Sequence, residues 1–194
     1  MQKDKFNYGN EGFSLLETYA HKISDTAYEI QDKRAKFIAL YAIDVFKRWQ
    51  KRRLNRFNNR KCSKDVFVSL YKDCALLLLK TMIYAFRVDD KIDRDEFKSL
   101  NNFYKQILGS LDVRGIIDGM LTQTLDPMHL KELIAFHEEA LDIYMLSAII
   151  LTHDDILDIN YLENLAAVLN IDPTSQKKLN ESALNLKKKA GLLN

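Results

Sequence analysis

Apolar residues recur every three or four positions along most of the chain, which predicts helices. No run of alternating β-branched residues is long enough for a strand. Asp126-Pro127 and Asp172-Pro173 each place a capping carboxylate directly before a proline, which marks a helix start. We therefore predict an all-α protein with helices at about 13–30, 32–57, 64–87, 93–109, 113–121, 127–137, 140–152, 158–170 and 173–189.

An acidic box occurs twice in the same helical context, 65 residues apart. The first box is Asp89-Asp90-Lys91-Ile92-Asp93, and the second is Asp154-Asp155-Ile156-Leu157-Asp158. The apolar pattern repeats with the same offset, so that Leu76, Leu79, Phe86, Phe97, Leu100 and Phe103 correspond to Leu141, Tyr144, Leu151, Leu162, Leu165 and Val168. This offset predicts a helical bundle with an internal pseudo-repeat, in which two helix–turn–helix units share one core. The aromatic residues of the pattern, including Phe97, are expected to be core residues.

Positive charge is concentrated in one stretch of the chain. Eight Lys or Arg residues and no acidic residue lie between Lys47 and Lys61, whereas the whole chain has a net charge of only +2. Asn58-Asn59 and Cys62-Ser63 read as a linker after this basic segment. We therefore predict an N-terminal helical extension over residues 1–62 and a helical domain over residues 63–194.

The composition is that of a soluble globular protein, with 47% apolar and 29% charged residues, and it excludes a wholly disordered chain. Cys62 and Cys74 match neither a CxxC pair nor a zinc site, which favours reduced thiols. The most apolar stretch, Phe37 to Phe46, is about half of the length that a membrane-spanning helix needs. No secretory signal opens the sequence. We expect a cytoplasmic location.

The residues from Met82 to Glu96 resemble the signature of TerB-like helical domains. That signature consists of an apolar helix, then Ala-Asp-Gly, two spacers, an acidic residue and a Glu. The similarity continues through Leu125-Asp126-Pro127 and covers about 73–189, with the uncharacterised YebE-like branch as the nearest match. Phe46-Lys47-Arg48-Trp49-Gln50 resembles the end of a Gly-rich apolar segment of that branch. The Gly-rich part itself is replaced here by the amphipathic stretch 13–30, and Asp90 stands where the family usually has Gly.

The resemblance implies a binding module near the membrane rather than an enzyme, in a family linked by name to tellurite resistance. It also implies that the acidic surface holds a metal ion. The spacing of Asp89, Asp93 and Glu96 at i, i+4 and i+7 would place three carboxylates on one helical face. Hard oxygen ligands suit calcium or magnesium, and Asp154 and Asp158 would complete the site.

Helix capping is the alternative explanation of the acidic boxes. An Asp before or within the first helical turn accepts hydrogen bonds from free backbone N–H groups and complements the helix dipole. Both boxes lie at predicted helix starts, and the second has Tyr161 where the first has Glu96. Capping alone is therefore favoured over a metal site as the explanation of these carboxylates.

The basic segment has several interpretations. Lys47, Arg48, Lys51, Arg52, Arg53 and Arg56 would bind an anionic surface, with Trp49 at the lipid interface. The same residues would otherwise pair with the acidic boxes, within the chain or in a partner molecule, or form a solvated helix face. Nucleic acid binding is disfavoured by the near-neutral net charge and by the absence of a recognisable motif.

No catalytic motif is present, and no two of the four histidines have the spacing of metal ligands. We therefore expect a non-enzymatic binding or adaptor module at the inner face of the membrane, connected to stress or metal-ion handling. We expect a protein partner and peripheral contact with an anionic membrane. The sequence is also compatible with a homo-oligomer. The alternatives are a metal-dependent hydrolase, which needs both acidic boxes to converge on one pair of metal ions with an open coordination position, and a nucleic-acid-binding protein.

Overall fold

A computed structural model of the protein describes residues 27–56, 64–89, 92–109, 114–152 and 155–193. These residues form eight α-helices and no strand, which confirms the predicted all-α class. The helices are α1 (Ala27–Asn55), α2 (Lys64–Phe86), α3 (Arg94–Ile107), α4 (Arg114–Thr122), α5 (Met128–Lys131), α6 (His137–Ile150), α7 (Ile156–Val168) and α8 (Pro173–Lys189).

Helix α1 crosses a boundary that the sequence pattern predicted near residue 31. The prediction of two helices at this point was wrong because Gln31, Asp32 and Lys33 contain no helix breaker, and α1 continues through them. The part of the predicted first helix before Ala27 lies outside the described residues. By contrast, α8 begins as predicted, with the Asp172 side chain accepting a hydrogen bond from the Ser175 amide.

The predicted helix at 127–137 is only a single turn, α5, and the chain then runs into an extended residue, Phe136. The backbone groups that would have continued the helix are bonded elsewhere. The Leu133 carbonyl accepts a hydrogen bond from Arg53, and the Ala135 amide donates one to Glu139. The buried ion pair of Arg53 and Glu139 therefore ends this helix. Residue spacing in the sequence cannot predict this end, because a tertiary contact overrides the local helix propensity.

A single hydrophobic core joins α1 to the later helices. Trp49 of α1, Tyr84 of α2 and Tyr144 of α6 are completely buried in one cluster, to which α3, α7 and α8 also contribute. Helix α1 packs against α2, α3 and α6. The predicted domain boundary between residues 62 and 63 lies outside the described residues, but the helices described on either side of it share this core.

The internal repeat has two offsets. Buried residues of α2 correspond to buried residues of α6 at the predicted offset of 65 residues, as Leu78 and Ile143 do. In α3 and α7 the N-caps Asp93 and Asp155 are 62 residues apart. Seven residues join α2 to α3 and only five join α6 to α7, so the copies lose register at the connection.

The changed register alters which residues of α3 are buried. Leu100 and Phe103 correspond to the buried Leu162 and Leu165 of α7. The predicted pairing of Phe97 with Leu162 is therefore wrong, and so is the assignment of Phe97 to the core, because 64% of its surface is exposed.

Candidate functional site

The two acidic boxes meet at one cavity of about 220 Å³. The cavity lies between α1, the connection from α2 to α3, and the connection from α6 to α7. The charged residues that line it are Arg34, Asp89, Asp93, Glu96, Asp155 and Asp158. Asp89 and Asp93 both precede α3, so the carboxylates come together through turns of the chain and do not share one helical face. Asp154 lies outside the described residues.

Most of these carboxylates bind backbone amides at helix starts. Asp93 Oδ1 accepts hydrogen bonds from the amides of Asp95 at 2.7 Å and Glu96 at 2.8 Å. Glu96 Oε2 accepts one from the Asp93 amide at 2.9 Å, which completes a capping box. Asp155 caps α7 through the amide of Leu157 at 2.9 Å. The predicted capping is confirmed for Asp93 and Asp155.

Asp158 reaches back from the first turn of α7 to the end of α6. Its Oδ2 accepts hydrogen bonds from the amide of Thr152 at 2.8 Å and from the Thr152 hydroxyl at 2.9 Å. The side chain is buried apart from 9% of its surface. Asp158 therefore ties the second connection together, in a role comparable to that of Glu96 in the first.

Arg34 of α1 brings a cation to this cavity. Its guanidinium lies 3.8 Å from Asp93 Oδ2 and 3.5 Å from Glu96 Oε1, and it donates to the Ile150 carbonyl at 3.0 Å. The last contact also satisfies the C-terminal end of α6. Sequence reasoning missed Arg34 because no local spacing connects it with either box. The only available signal was the general need of clustered carboxylates for a counter-charge.

A metal ion in this cavity would have to compete with Arg34 and with the capping amides. Among the described residues, no group of three or more His, Cys, Asp or Glu side chains is arranged to hold a metal ion. The assignment of calcium or magnesium to Asp89, Asp93, Glu96 and Asp158 therefore stays a prediction, as does the hydrolase alternative that depends on it.

Burial raises the pKa of Glu96 to about 7, and the nearby Asp93 and Asp89 act in the same direction. Arg34 and the hydrogen bond from the Asp93 amide act against this rise. Because the pKa in the folded protein is above its usual value, the folded state holds the proton more tightly than the unfolded chain does. The stability from this group is complete below pH 4.5 and is lost as the pH rises through about 7.

Replacing Glu96 by Gln should flatten this dependence on pH, because Gln keeps the capping hydrogen bond without the titrating proton. Between pH 4.5 and pH 8 the native chain should lose up to about 3 kcal/mol more in its free energy of unfolding than the variant does. Urea unfolding at four or five pH values measures both curves. Glu163→Gln, at an exposed position of α7, is the matched control. If stability depends on pH in the same way for Glu96→Gln and the native chain, the pKa of Glu96 is not raised in the folded protein.

Part of the basic segment forms ion pairs inside the protein. Arg53 binds Glu139 through two parallel hydrogen bonds of 2.8 and 2.7 Å, and both side chains are buried. Arg48 contacts Asp44 at 3.1 Å and Asp142 at 2.9 Å. These pairs use carboxylates of α1 and α6, not those of the acidic boxes.

Trp49, which the lipid interpretation placed at an interface, is completely buried, and its indole N–H donates to Asp142 at 2.8 Å. Lys47, Lys51 and Arg56 are exposed, Arg52 is half-buried, and Arg56 lies 5.7 Å from the ring centre of Phe136. Contact with an anionic surface stays a prediction, as does nucleic acid binding. Among the described residues of the basic segment, these four would carry either contact, since Arg48 and Arg53 face carboxylates within the chain. Arg60 and Lys61 lie outside the described residues.

The structure also has an apolar groove that sequence reasoning did not identify. It has a volume of about 720 Å³ and lies between α2, α3 and α4. Phe97 stands in it with 64% of its surface exposed. Its lining is mostly apolar and consists of Leu79, Ile83, Ile92, Asp93, Arg94, Phe97, Leu100, Asn101, Tyr104, Ile117 and Leu121. The shorter second connection was the missing information, since the repeat offset falls from 65 to 62 across it and Phe97 leaves the core register.

These features define an all-helical protein with an acidic cavity and an open apolar groove. The model of a family described as protein of unknown function (DUF533) matches residues 21–183, and the chain belongs to this family, which is part of the TerB-like family. The predicted TerB-like resemblance is thus confirmed, and the match also includes all of α1. No curated protein and no solved structure matches the chain. Within the described residues, every helix falls short of the length or the apolar character that a membrane crossing requires.

Proposed function

We propose that this protein is a non-enzymatic binding module of the YebE-like branch, which accepts an apolar helix of a protein partner in the groove between α2, α3 and α4. The observation that carries this proposal is the exposure of Phe97 at the groove. A large aromatic side chain left 64% exposed beside other apolar residues is typical of an interaction site.

The geometry of α3 supports a helical occupant. Phe97, Asn101 and Tyr104 follow one another at i, i+4 and i+7, so they line the groove along one face of α3. Leu79 and Ile83 of α2 form the adjoining wall at the same spacing. A groove lined by helical faces accommodates the apolar face of another helix by interdigitating side chains.

The size of the groove limits the length of its occupant. From Asp93 to Tyr104, α3 extends along the groove for about 16 Å, which corresponds to a helix of about eleven residues. Such a helix would present apolar side chains at i, i+3 or i+4, and i+7. Asp93 and Arg94, at one end of the groove, would meet polar groups at one end of that helix.

Peptides selected from a random display library against the full-length protein would test this function. We expect selected peptides to share the apolar spacing of an amphipathic helix and to bind Phe97→Asp at least tenfold more weakly than the native chain. A tenfold loss corresponds to about 1.4 kcal/mol, less than the roughly 2 kcal/mol or more typical of a buried aromatic anchor. Fluorescence anisotropy of labelled peptides measures the dissociation constants.

The matched control is Leu184→Asp, which introduces the same charge at an exposed apolar position of α8. Because α8 is not part of the groove, this variant should bind the peptides as the native chain does. Circular dichroism should give the native helix content for both variants, since neither side chain is buried. Peptides that bind Phe97→Asp and the native chain equally well would show that the groove is not the binding surface.

A further inference from the structure

We propose that α4 is a flap over the groove. Its C-terminal end is fastened to α2, and its start moves to close over a helix that is bound in the groove. Such a flap rests on the proposed function, because the groove is taken to be a helix-binding surface. The contrast between α4 and α8, its counterpart in the internal repeat, carries this inference.

Helix α8 is fastened to α6 at two points. It is the counterpart of α4, because each follows the second helix of its copy and packs on the first, α6 or α2. Tyr144 of α6 donates a hydrogen bond to Asn180 at 2.9 Å, and Lys187, two turns later in α8, donates one to the Leu151 carbonyl. Ala183, between these two bonds, is completely buried. The second copy therefore holds its third helix closed.

Helix α4 is fastened at its C-terminal end. The Arg87 guanidinium donates to the carbonyls of Met120 at 3.3 Å and Gln123 at 2.7 Å, and the Tyr84 hydroxyl lies 3.4 Å from the Thr124 carbonyl. A cation at this end of a helix also complements the helix dipole. Of the side-chain bonds that the structure describes between α2 and this region, all reach the last turn of α4 or the residues that follow it.

Two residues of α2 differ from their counterparts in α6 where the groove opens. At the repeat offset of 65 residues, Leu79 corresponds to Tyr144, and its side chain cannot donate a hydrogen bond. Ile83 corresponds to Ala148 and is larger, so it keeps a neighbouring helix farther away. Leu79 and Ile83 both line the groove. The groove therefore lies where the second copy has the fastened part of α8.

The part of α4 before its anchor presents apolar side chains to the groove. Ile117 and Leu121 line it, and none of the side chains described in α4, from residue 117 to residue 122, is fully buried. A helix lying on Phe97 would be contacted by Ile117 and Leu121 from the other side if the start of α4 moved towards it. Burial of these side chains would favour the closed position, so closure would be coupled to binding.

Distances between two spin labels test the flap in the full chain. One label would be attached at Lys105→Cys, exposed on α3, and the other at Asp118→Cys, exposed on α4. The protein would also carry Cys62→Ser, whereas Cys74 is completely buried and stays unlabelled. We expect a broad distance distribution in the free protein. With one of the selected peptides bound, the distribution should be about half as wide and centred on one distance.

Labels at Ala167→Cys and Ser182→Cys are the matched control, because they occupy exposed positions of α7 and α8, the counterparts of α3 and α4. Their distance distribution should be narrow in the free protein and unchanged by the peptide. A Lys105→Cys/Asp118→Cys distribution that is as narrow as this control in the free protein would overturn the flap.

Peptide affinities separate a failure of the flap from a failure of the proposed function. Suppose that the selected peptides bind the native chain and lose affinity for Phe97→Asp, but leave the distance distribution between α3 and α4 unchanged. The groove would then remain a binding surface, and the flap would be wrong. Peptides that bind Phe97→Asp as tightly as the native chain would instead contradict the proposed function.

Discussion

Replacing Glu139 by Gln is expected to lower the free energy of unfolding by about 3 kcal/mol, the largest effect of a single charge in the described core. Glu139 is completely buried, and Arg53, its partner, is only 6% exposed. Loss of the carboxylate would leave the guanidinium without a counter-ion where water cannot replace it. It would also weaken the bond that holds the Ala135 amide at 2.8 Å. Urea unfolding followed by circular dichroism measures the change.

Two further variants show whether the buried charge causes this loss. Glu138→Gln, at the exposed neighbouring position, should change stability by less than about 0.5 kcal/mol. The double variant Arg53→Met/Glu139→Leu removes both charges and fills a similar volume, so it should be more stable than Glu139→Gln. If the double variant is the less stable of the two, the pair contributes by its hydrogen bonds to Leu133 and Ala135 more than by balancing charge.

Replacing Trp49 by Ala should cost about 3–5 kcal/mol, because the indole is completely buried between α1 and the helices packed against it. Trp49→Phe keeps most of the apolar contact but loses the 2.8 Å hydrogen bond to Asp142, and it should therefore cost less than the Ala change. Circular dichroism at 222 nm is the appropriate signal, since Trp49 is the only tryptophan in the chain.

The same variants discriminate between a buried and a lipid-facing Trp49. Lys47→Ala, at an exposed position of the same helix, is the control and should change stability by less than about 0.5 kcal/mol. If Trp49 were at a lipid interface, Trp49→Ala would cost no more than this control in solution. An equal, small effect of both changes would thus contradict the burial of the indole.

Much of the helical architecture could be predicted because it depends on local patterns. The Asp172-Pro173 pair determined the start of α8 through hydrogen bonding and the fixed backbone angle of proline. The acidic boxes marked the starts of α3 and α7 for the same kind of reason, since Asp93 and Asp155 accept bonds from amides only two or three residues away. Capping is a short-range interaction, and a single sequence contains nearly all the information that it needs.

The sites depended on contacts between distant residues, and the sequence alone did not determine them. Arg34 reaches the acidic cavity from 59 residues before Asp93. Arg53 pairs with Glu139, 86 residues later, which removes Arg53 from the exposed basic surface. The groove was missed for a different reason. A fixed repeat offset of 65 assigned Phe97 to the core, whereas the shorter second connection makes its true counterpart the exposed Ile159.

The packing of α1 against α6 has a consequence for how the protein is made. Arg34 bonds to Ile150, 116 residues later, and Arg48 and Trp49 bond to Asp142. During synthesis, α1 emerges from the ribosome long before α6 exists, so the part of its surface that packs against α6 stays uncovered for several seconds at ordinary translation rates. Contacts this distant in sequence also slow the search for the folded state. The side of α1 that faces α6 is therefore a surface that chaperones would cover until α6 has been made.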